Sequence, residues 1–267
     1  MAHQTRLLRL LLFLALNVFA AAMLFPIVFT LLNSFMTEEE IGRNYDLLGK
    51  MVEAPAGGQA AFVNLKLLPD WLTIRQYAQV LILSPKFLRM FWNSIALVLP
   101  IIAGQVLIGS LAAYAFAKLR FWGRDKLFLV YVMTMLMPFQ VTLVPNYLIM
   151  DRFGLMDHAL AIILPGIFSA FGVFMMRQFM SHIPYALMEA AKMDGAGHGI
   201  IFARIMLPLS VPAITFVMLT SFIGPVMDFI LPQIVLRSSE KMTLAQGLYG
   251  MVSDKTNSSF SLFAAGS

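Results

Sequence analysis

The chain is poor in two kinds of residue that most soluble enzymes contain. It has no cysteine in 267 residues, which excludes disulfide bonds, thiolate metal sites and cysteine nucleophiles. Only 12% of the residues are charged and 60% are hydrophobic, whereas about a quarter of a soluble domain is charged. Too little polar surface remains to cover a globule in water. We therefore expect a lipid environment, which is crossed by helices that satisfy their own backbone hydrogen bonds.

Catalytic motifs are also lacking. The single Gly-Lys pair, Gly49-Lys50, is followed by Met51 and has Asn44 where a phosphate loop begins with glycine. No serine lies in a G-x-S-x-G context. We predict that the chain is not an enzyme and binds no metal or cofactor itself. Four histidines without metal-ligand spacing are expected to be ordinary interfacial residues: His3, His158, His182 and His198.

Long apolar runs dominate the chain, and a spanning helix needs about 20 such residues. The first run follows Arg6 and Arg9 and is too long for a signal peptide, so we expect it to remain as a span. A last run at 260–267 reaches only about 12 Å as a helix, and we expect that truncation of the sequence cuts this sixth span short. The predicted fold is an all-α integral membrane protein with about six transmembrane helices, five of them complete, at 10–32, 92–117, 127–150, 159–180 and 209–236.

The distribution of basic residues orients these spans. With residues 1–9 as a cytoplasmic N-terminus, the cytoplasmic segments carry nine basic and three acidic residues, whereas the outer segments carry ten of each. Lysine and arginine accumulate on the cytoplasmic side. Within the transmembrane domain 10–267, we therefore predict an extracytoplasmic loop at 33–91 and a cytoplasmic loop at 181–208. The basic balance reflects topology, and we expect no nucleic-acid partner.

The connection 181–208 has the pattern of two short helices. Pro184 suits the first turn of a helix, where its missing N–H costs nothing, and Gly195 suits the left-handed residue that ends one. A second short helix is expected at 200–206, ended by Pro208. Periodicity alone fits a plain interfacial loop as well as an elbow that enters a groove of another protein.

The same connection carries a specific motif. Glu189-Ala190-Ala191 is followed after three residues by Gly195 and after nine more by Ile205-x-Leu207-Pro208. This spacing resembles the E-A-A-x3-G-x9-I-x-L-P signature of ABC importer permeases, and the local variant resembles the carbohydrate-uptake group, to which the second permease of the maltose transporter belongs. The similarity covers about residues 10–265, and it extends to Asn93-Ser94, 112–118, Val144-Pro145-Asn146-Tyr147 and 153–157.

The resemblance implies a function and a set of partners. Such a chain is expected to form half of the translocation pathway for a sugar or oligosaccharide, beside a second permease subunit in the bacterial inner membrane. Two cytoplasmic ATPase subunits would bind ATP-Mg, and an extracytoplasmic solute-binding protein would deliver the sugar. The elbow would dock in the ATPase, and the implied coupling residues are Glu189, Ala190, Ala191, Asp194, Gly195, Ile205, Leu207 and Pro208.

The sequence differs from the family pattern in two places, and two alternative functions remain. Val226-Met227 precede Asp228-Phe229, where the family usually has Trp-Asn before the acidic residue, and the sixth span is incomplete. A permease for another solute, such as glycerol phosphate, phosphate or polyamine, shares the motif, and the ligand of its binding protein would distinguish it. A channel or secondary carrier is the other alternative, although Asp228 is the single ionisable residue that we place within a span and such carriers typically have more.

Overall fold

The computed structural model describes residues 2–37, 39–41, 44, 66 and 68–253. The apolar stretch 260–267 and the Gly49-Lys50 pair lie outside these residues, and all regular structure within them is helical. The chain divides into two compact units, Met1–Leu88 with Gly247–Ser267, and Arg89–Gln246. Each unit is described by itself.

The first unit begins with a long apolar helix, α1 (Ala2–Asn33). Its stretch Arg9–Asn33 is long and apolar enough to span a bilayer, and its most apolar window buries no residue against the rest of the chain. Beyond its end, the Ser34 hydroxyl is hydrogen-bonded to the Tyr77 hydroxyl of α2 (Arg75–Leu81) at 2.6 Å. This hydrogen bond therefore holds α2 next to the end of α1.

An acidic side chain organises the rest of this segment. Glu40, which is only 7% exposed, forms an ion pair with Lys66 at 2.9 Å and accepts a hydrogen bond from the Asp70 N–H at 2.8 Å. Because a buried carboxylate is costly without such partners, these bonds hold Lys66 and Asp70 near Glu40.

The remaining helices follow one another with short connections. Most of them lie in the second unit. They are α3 (Pro85–Lys118), α4 (Arg124–Met133), α5 (Phe139–Arg152), α6 (Leu160–Ile167), α7 (Ala170–His182), α8 (Tyr185–Met193), α9 (His198–Leu209), α10 (Val211–Met227), α11 (Ile230–Val235) and α12 (Leu244–Ser253).

Among the described residues, three stretches can cross a membrane by length and composition, or up to five if two bent helix pairs each count as one span. The third span predicted at 127–150 is bent and is not one continuous helix, because Arg124–Leu136 and Phe139–Arg152 meet at 102°. Pro138 accounts for the break. It lacks an N–H and favours an extended residue before it, and Met137 is extended with φ −77° and ψ 122°.

The predicted fourth span is interrupted between α6 and α7. Phe168 is extended, and the Ser169 hydroxyl caps α7 by accepting the Gly172 N–H at 3.0 Å. On the other side of the break, the Gln105 amide donates to the Gly166 carbonyl at 2.6 Å. Side chains therefore satisfy backbone groups that the break leaves without helical partners.

The predicted fifth span, 209–236, is wrong as a single helix. His198–Leu209 and Val211–Met227 are bent by 74° at Ser210. A second break follows at Asp228, which is extended and accepts the N–H of Ile230 at 3.0 Å. The Asp228 carboxylate, one residue before the N-cap Phe229, therefore binds the first N–H of α11, and Asp228 does not lie within a continuous transmembrane helix.

Small residues let α3 approach its neighbours. A Cβ on Gly104 would lie 2.6 Å from Ile167, and a Cβ on Gly109 would lie 2.7 Å from the Met176 side chain. Such close helix contacts through glycine are typical of membrane helices. Two buried clusters form along α3, one around Ile101 and one around Ala113.

Asp157 joins two loops that are far apart in the sequence. It follows α5 with φ +57°, and its carboxylate accepts the N–H groups of Arg237 at 2.9 Å and Ser238 at 3.0 Å. The Ser238 hydroxyl and the Lys241 ammonium also bind this carboxylate. These hydrogen bonds, that of the Ser238 hydroxyl first, hold the pKa of Asp157 well below its ordinary value.

We predict that Asp157→Asn lowers the melting temperature of the purified protein at neutral pH. A carboxyl whose folded-state pKa is depressed stabilises the fold above its unfolded pKa, about 3.9, and loses this contribution as the pH falls further. The difference from the unmutated chain should therefore be constant from pH 8 to 6 and shrink below pH 4. Thermal scans in detergent measure it, with exposed Asp151→Asn as the control. Equal melting of both variants at pH 7 would contradict the prediction.

Candidate functional site

The elbow 181–208 has a defined geometry on both sides of α8. The Ile183 backbone is extended, and Pro184 with φ −59° and ψ 134° is the N-cap residue of α8. Pro184 therefore precedes the first helical turn, whereas the sequence predicted it within that turn. Its fixed φ suits either position, and its missing N–H is not needed at the start of a helix.

Gly195 ends α8 in the predicted way. Its φ is +80°, which confirms the predicted left-handed conformation. The Gly195 N–H donates to the Lys192 carbonyl and the Ala196 N–H donates to the Ala191 carbonyl, both at 2.9 Å. These two bonds form a Schellman motif, which satisfies the last carbonyls of the helix. No atom lies within 4 Å of a Cβ at Gly195, so its backbone conformation alone favours glycine there.

One side of α8 faces the protein and the other is free. Met188 is 2% exposed and Ala191 packs beside it. Glu189, Ala190 and Asp194 are exposed. The cluster around Met188 joins four other helices through Ala113, Tyr114, Met176, Met180, Ile201, Met206, Ala213 and Val217.

The second half of the motif lies in α9. A π-helical turn, Phe202–Met206, interrupts this helix, and the Leu207 N–H donates to the Phe202 carbonyl five residues back. The prediction that Pro208 ends the helix at 206 was wrong, because α9 continues to Leu209. A wider π turn ahead of the proline displaces the carbonyl that its ring would otherwise meet.

The structure brings only part of the predicted set together. Ala191 packs against the cluster formed around Met188, while Glu189, Ala190, Asp194 and Gly195 lie exposed on the elbow. In α9, Ile205 and Leu207 are half-buried and Pro208 is exposed. The exposed members in and directly after α8 therefore form a surface that the described residues of this chain leave uncovered.

Sequence analysis missed the lysine that fixes the elbow. Lys118, the last residue of α3, is 3% exposed and donates to the Ile183 carbonyl at 2.6 Å and the Ser181 carbonyl at 3.4 Å. Its ammonium lies 4.5 Å from the centre of the Tyr185 ring, and the Tyr185 hydroxyl donates back to the Lys118 carbonyl at 3.0 Å. A cation at the carbonyl end of a helix such as α7 is favourable. The sequence did contain one signal for this role, because Lys118 is a basic residue directly after the long apolar run 92–117.

A second tie joins α3 to the start of α9. Tyr114, which is 5% exposed, is hydrogen-bonded through its hydroxyl to Nδ1 of His198 at 2.9 Å. His198 is exposed, as expected of an interfacial residue. With Lys118, this bond connects both halves of the elbow to the same end of α3.

Comparisons with known proteins agree on one family. Residues 105–266 match the model of the binding-protein-dependent transport system inner membrane component. The chain is 31% identical over 210 residues to the galactooligosaccharides transport system permease protein GanQ of Bacillus subtilis, covering 77% of this chain and 74% of GanQ. It is 31% identical over 234 residues to the maltodextrin transport system permease protein MdxG of the same organism, covering 87% and 84%.

Other matches extend this comparison. The sn-glycerol-3-phosphate transport system permease protein UgpE of Brucella abortus is 28% identical over 234 residues, covering 85% of this chain and 76% of UgpE. The fold matches a chain in the crystal structure of a bacterial ABC transporter involved in the import of the acidic polysaccharide alginate, with a TM-score of 0.77 and 22% identity, over 97% of this chain and 90% of that one. The chain therefore belongs to the family of inner membrane components of binding-protein-dependent transport systems.

Proposed function

We propose that this chain is the transmembrane permease subunit of an ABC importer and forms half of the pathway for a sugar or oligosaccharide. The observation that carries the proposal is the exposed face of α8, within a motif whose helix end is fixed by Gly195. Relatives named for galactooligosaccharide and maltodextrin transport support the substrate class. UgpE supports another solute, glycerol phosphate, as the second candidate, and the ligand of the binding protein decides between them.

Four partners complete the proposed machine. A second permease forms the other half of the pathway, and two cytoplasmic ATPase subunits bind ATP-Mg. A solute-binding protein delivers the sugar from outside. Because its sequence contains no phosphate-loop motif, this chain would transmit motion that ATP hydrolysis drives in the partner subunits.

The physical basis of coupling is a short helix that cannot move independently. Met188 is buried among side chains of the adjoining helices, and Lys118 fastens the residues just before α8. An ATPase that binds Glu189, Ala190 and Asp194 would therefore move the ends of α3 and α7 together with the elbow. Rigid-body motion of this kind is a common switching device.

The coupling role predicts a specific loss of transport in two variants. Gly195→Val places a branched side chain at φ +80° and costs about 1–2 kcal/mol or more, while Glu189→Lys reverses a charge on the proposed docking face. Both should reach the membrane normally and lose uptake of labelled sugar. Gly199→Val is the matched control, since Gly199 has no positive φ and no atom within 4 Å of a Cβ. Near-normal uptake by both test variants would refute the coupling role.

Lys118 generates a prediction about the rigidity of the elbow. Lys118→Met keeps an unbranched apolar stem but removes the bonds to the Ile183 and Ser181 carbonyls, and leaving buried acceptors unpaired costs about 1–3 kcal/mol. Hydrogen exchange of the amides in 185–196 should become faster in the assembled transporter. Exposed Lys86→Met, at the other end of α3, should leave this exchange unchanged. Unaltered exchange in Lys118→Met would show that packing alone fixes α8.

The proposed topology places the N-terminus and the elbow in the cytoplasm. The natural chain has no cysteine, so single cysteines can report on each side. Leu83→Cys, at an exposed position between α2 and α3, should react with a membrane-impermeant maleimide in intact spheroplasts. Gly199→Cys should react only after permeabilisation. The opposite labelling pattern would reverse the proposed orientation.

A further inference from the structure

The turn between α3 and α4 is too short to leave the membrane surface. It consists of five residues, 119–123, between the end of α3 and the start of α4. Five extended residues reach at most about 17 Å. Both flanking helices belong to stretches that are long and apolar enough to span a bilayer, α4 as part of its bent pair with α5. The side chains of this turn therefore lie at the level of the lipid headgroups.

Basic charge in and directly after this turn is not compensated by acidic groups among the described residues. Asp125, the acidic residue of the segment, forms an ion pair with Arg124 at 3.0 Å and lies 3.9 Å from Arg177. Arg120 and Lys126 are exposed, and neither has an acidic partner within the part of the chain that the structure describes. Two cationic groups are thus available to a ligand.

The same turn forms a concave surface with an exposed aromatic residue. A cavity of about 480 Å³ is lined by residues 120–126. Trp122 is 97% exposed and Phe121 is 41% exposed. A fully exposed indole is unfavourable in water, whereas tryptophan is enriched at the headgroup level of membranes, where its apolar ring and its N–H are both accommodated.

We propose that Arg120, Trp122 and Lys126 form a binding site for the headgroup of an anionic phospholipid. The phosphate would lie between the guanidinium and the ammonium, because both donate charge-assisted hydrogen bonds to phosphate oxygens. The indole would pack at the boundary between the headgroup and the acyl chains. The ATPase, which would dock on the neighbouring elbow, is the competing occupant, and the test below distinguishes it from a lipid headgroup. The site is independent of sugar specificity and of the coupling role of α8.

Quenching by brominated lipids tests the site. Trp122 becomes the sole tryptophan of this chain in a Trp71→Phe/Trp92→Phe background, since the chain has three tryptophans, and excitation at the red edge of the absorption band avoids its tyrosines. The assembled transporter, with partner tryptophans replaced by phenylalanine, is reconstituted in phosphatidylcholine vesicles that contain brominated phosphatidylglycerol or brominated phosphatidylcholine. We expect stronger quenching by the anionic lipid. Arg120→Gln/Lys126→Gln should reduce this preference by about fivefold for each charge removed.

A matched control and two contrary outcomes make the test decisive. Arg152→Gln removes an exposed basic residue from the last turn of α5 and should leave the lipid preference unchanged. Equal quenching by the two brominated lipids would overturn the proposal and leave Trp122 as an unselective interfacial residue. No quenching of the assembled transporter by either lipid would also overturn the proposal, and an emission shift between the permease pair reconstituted without its ATPase subunits and the assembled transporter would then assign the turn to the ATPase. None of these readouts depends on transport activity, so failure here leaves the proposed function untouched.

Discussion

A backbone amide or carbonyl inside a bilayer has no water to bind, and this constraint accounts for three of the irregularities in the described helices. The break after α6 lies between an amide donor, Gln105, and a hydroxyl cap, Ser169. At the break beside Asp228, the carboxylate of that residue binds the first N–H of α11. The wide turn ahead of Pro208 keeps α9 hydrogen-bonded. At these three places the interruption or strain of an apolar helix is therefore paired with a polar side chain or an altered backbone ladder.

The same requirement explains why the elbow is held from α3. The carbonyls at the end of α7 have no partners further along their own helix, and the buried ammonium of Lys118 supplies two donors to this region. A buried cation is expensive unless such acceptors surround it. The lysine and the carbonyls satisfy each other, and α8 is positioned as a result, because its first residue, Tyr185, closes over the lysine.

Sequence analysis succeeded where local rules decide the conformation. Gly195 was predicted at positive φ because a helix had to end within a short connection, and its φ is +80°. The spans at 10–32 and 92–117 correspond to long uninterrupted helices. The bend at Pro138 was missed, because hydropathy averaged over 127–150 does not show which of its two prolines interrupts the helix, and Pro145 lies within one. The contacts of Lys118 join residues more than 60 positions apart, and no local pattern could specify them.

α3 links the elbow to the opposite end of the second unit. Near its start, the Asn93 amide donates to the carbonyls of Glu240 at 2.7 Å and Met242 at 3.0 Å. Its middle is bonded through Gln105, and its last residue, Lys118, holds the elbow. From Asn93 to Lys118 an α-helix rises about 38 Å, which exceeds the hydrocarbon thickness of a typical bilayer. Because the helix is tied at three levels, a displacement imposed on the elbow cannot be absorbed locally. Such a displacement must either move the segment 237–243 at the far end of α3 or break the hydrogen bonds of Lys118, Gln105 or Asn93. Because these hydrogen bonds are intact at both ends of the helix, we expect the segment to move.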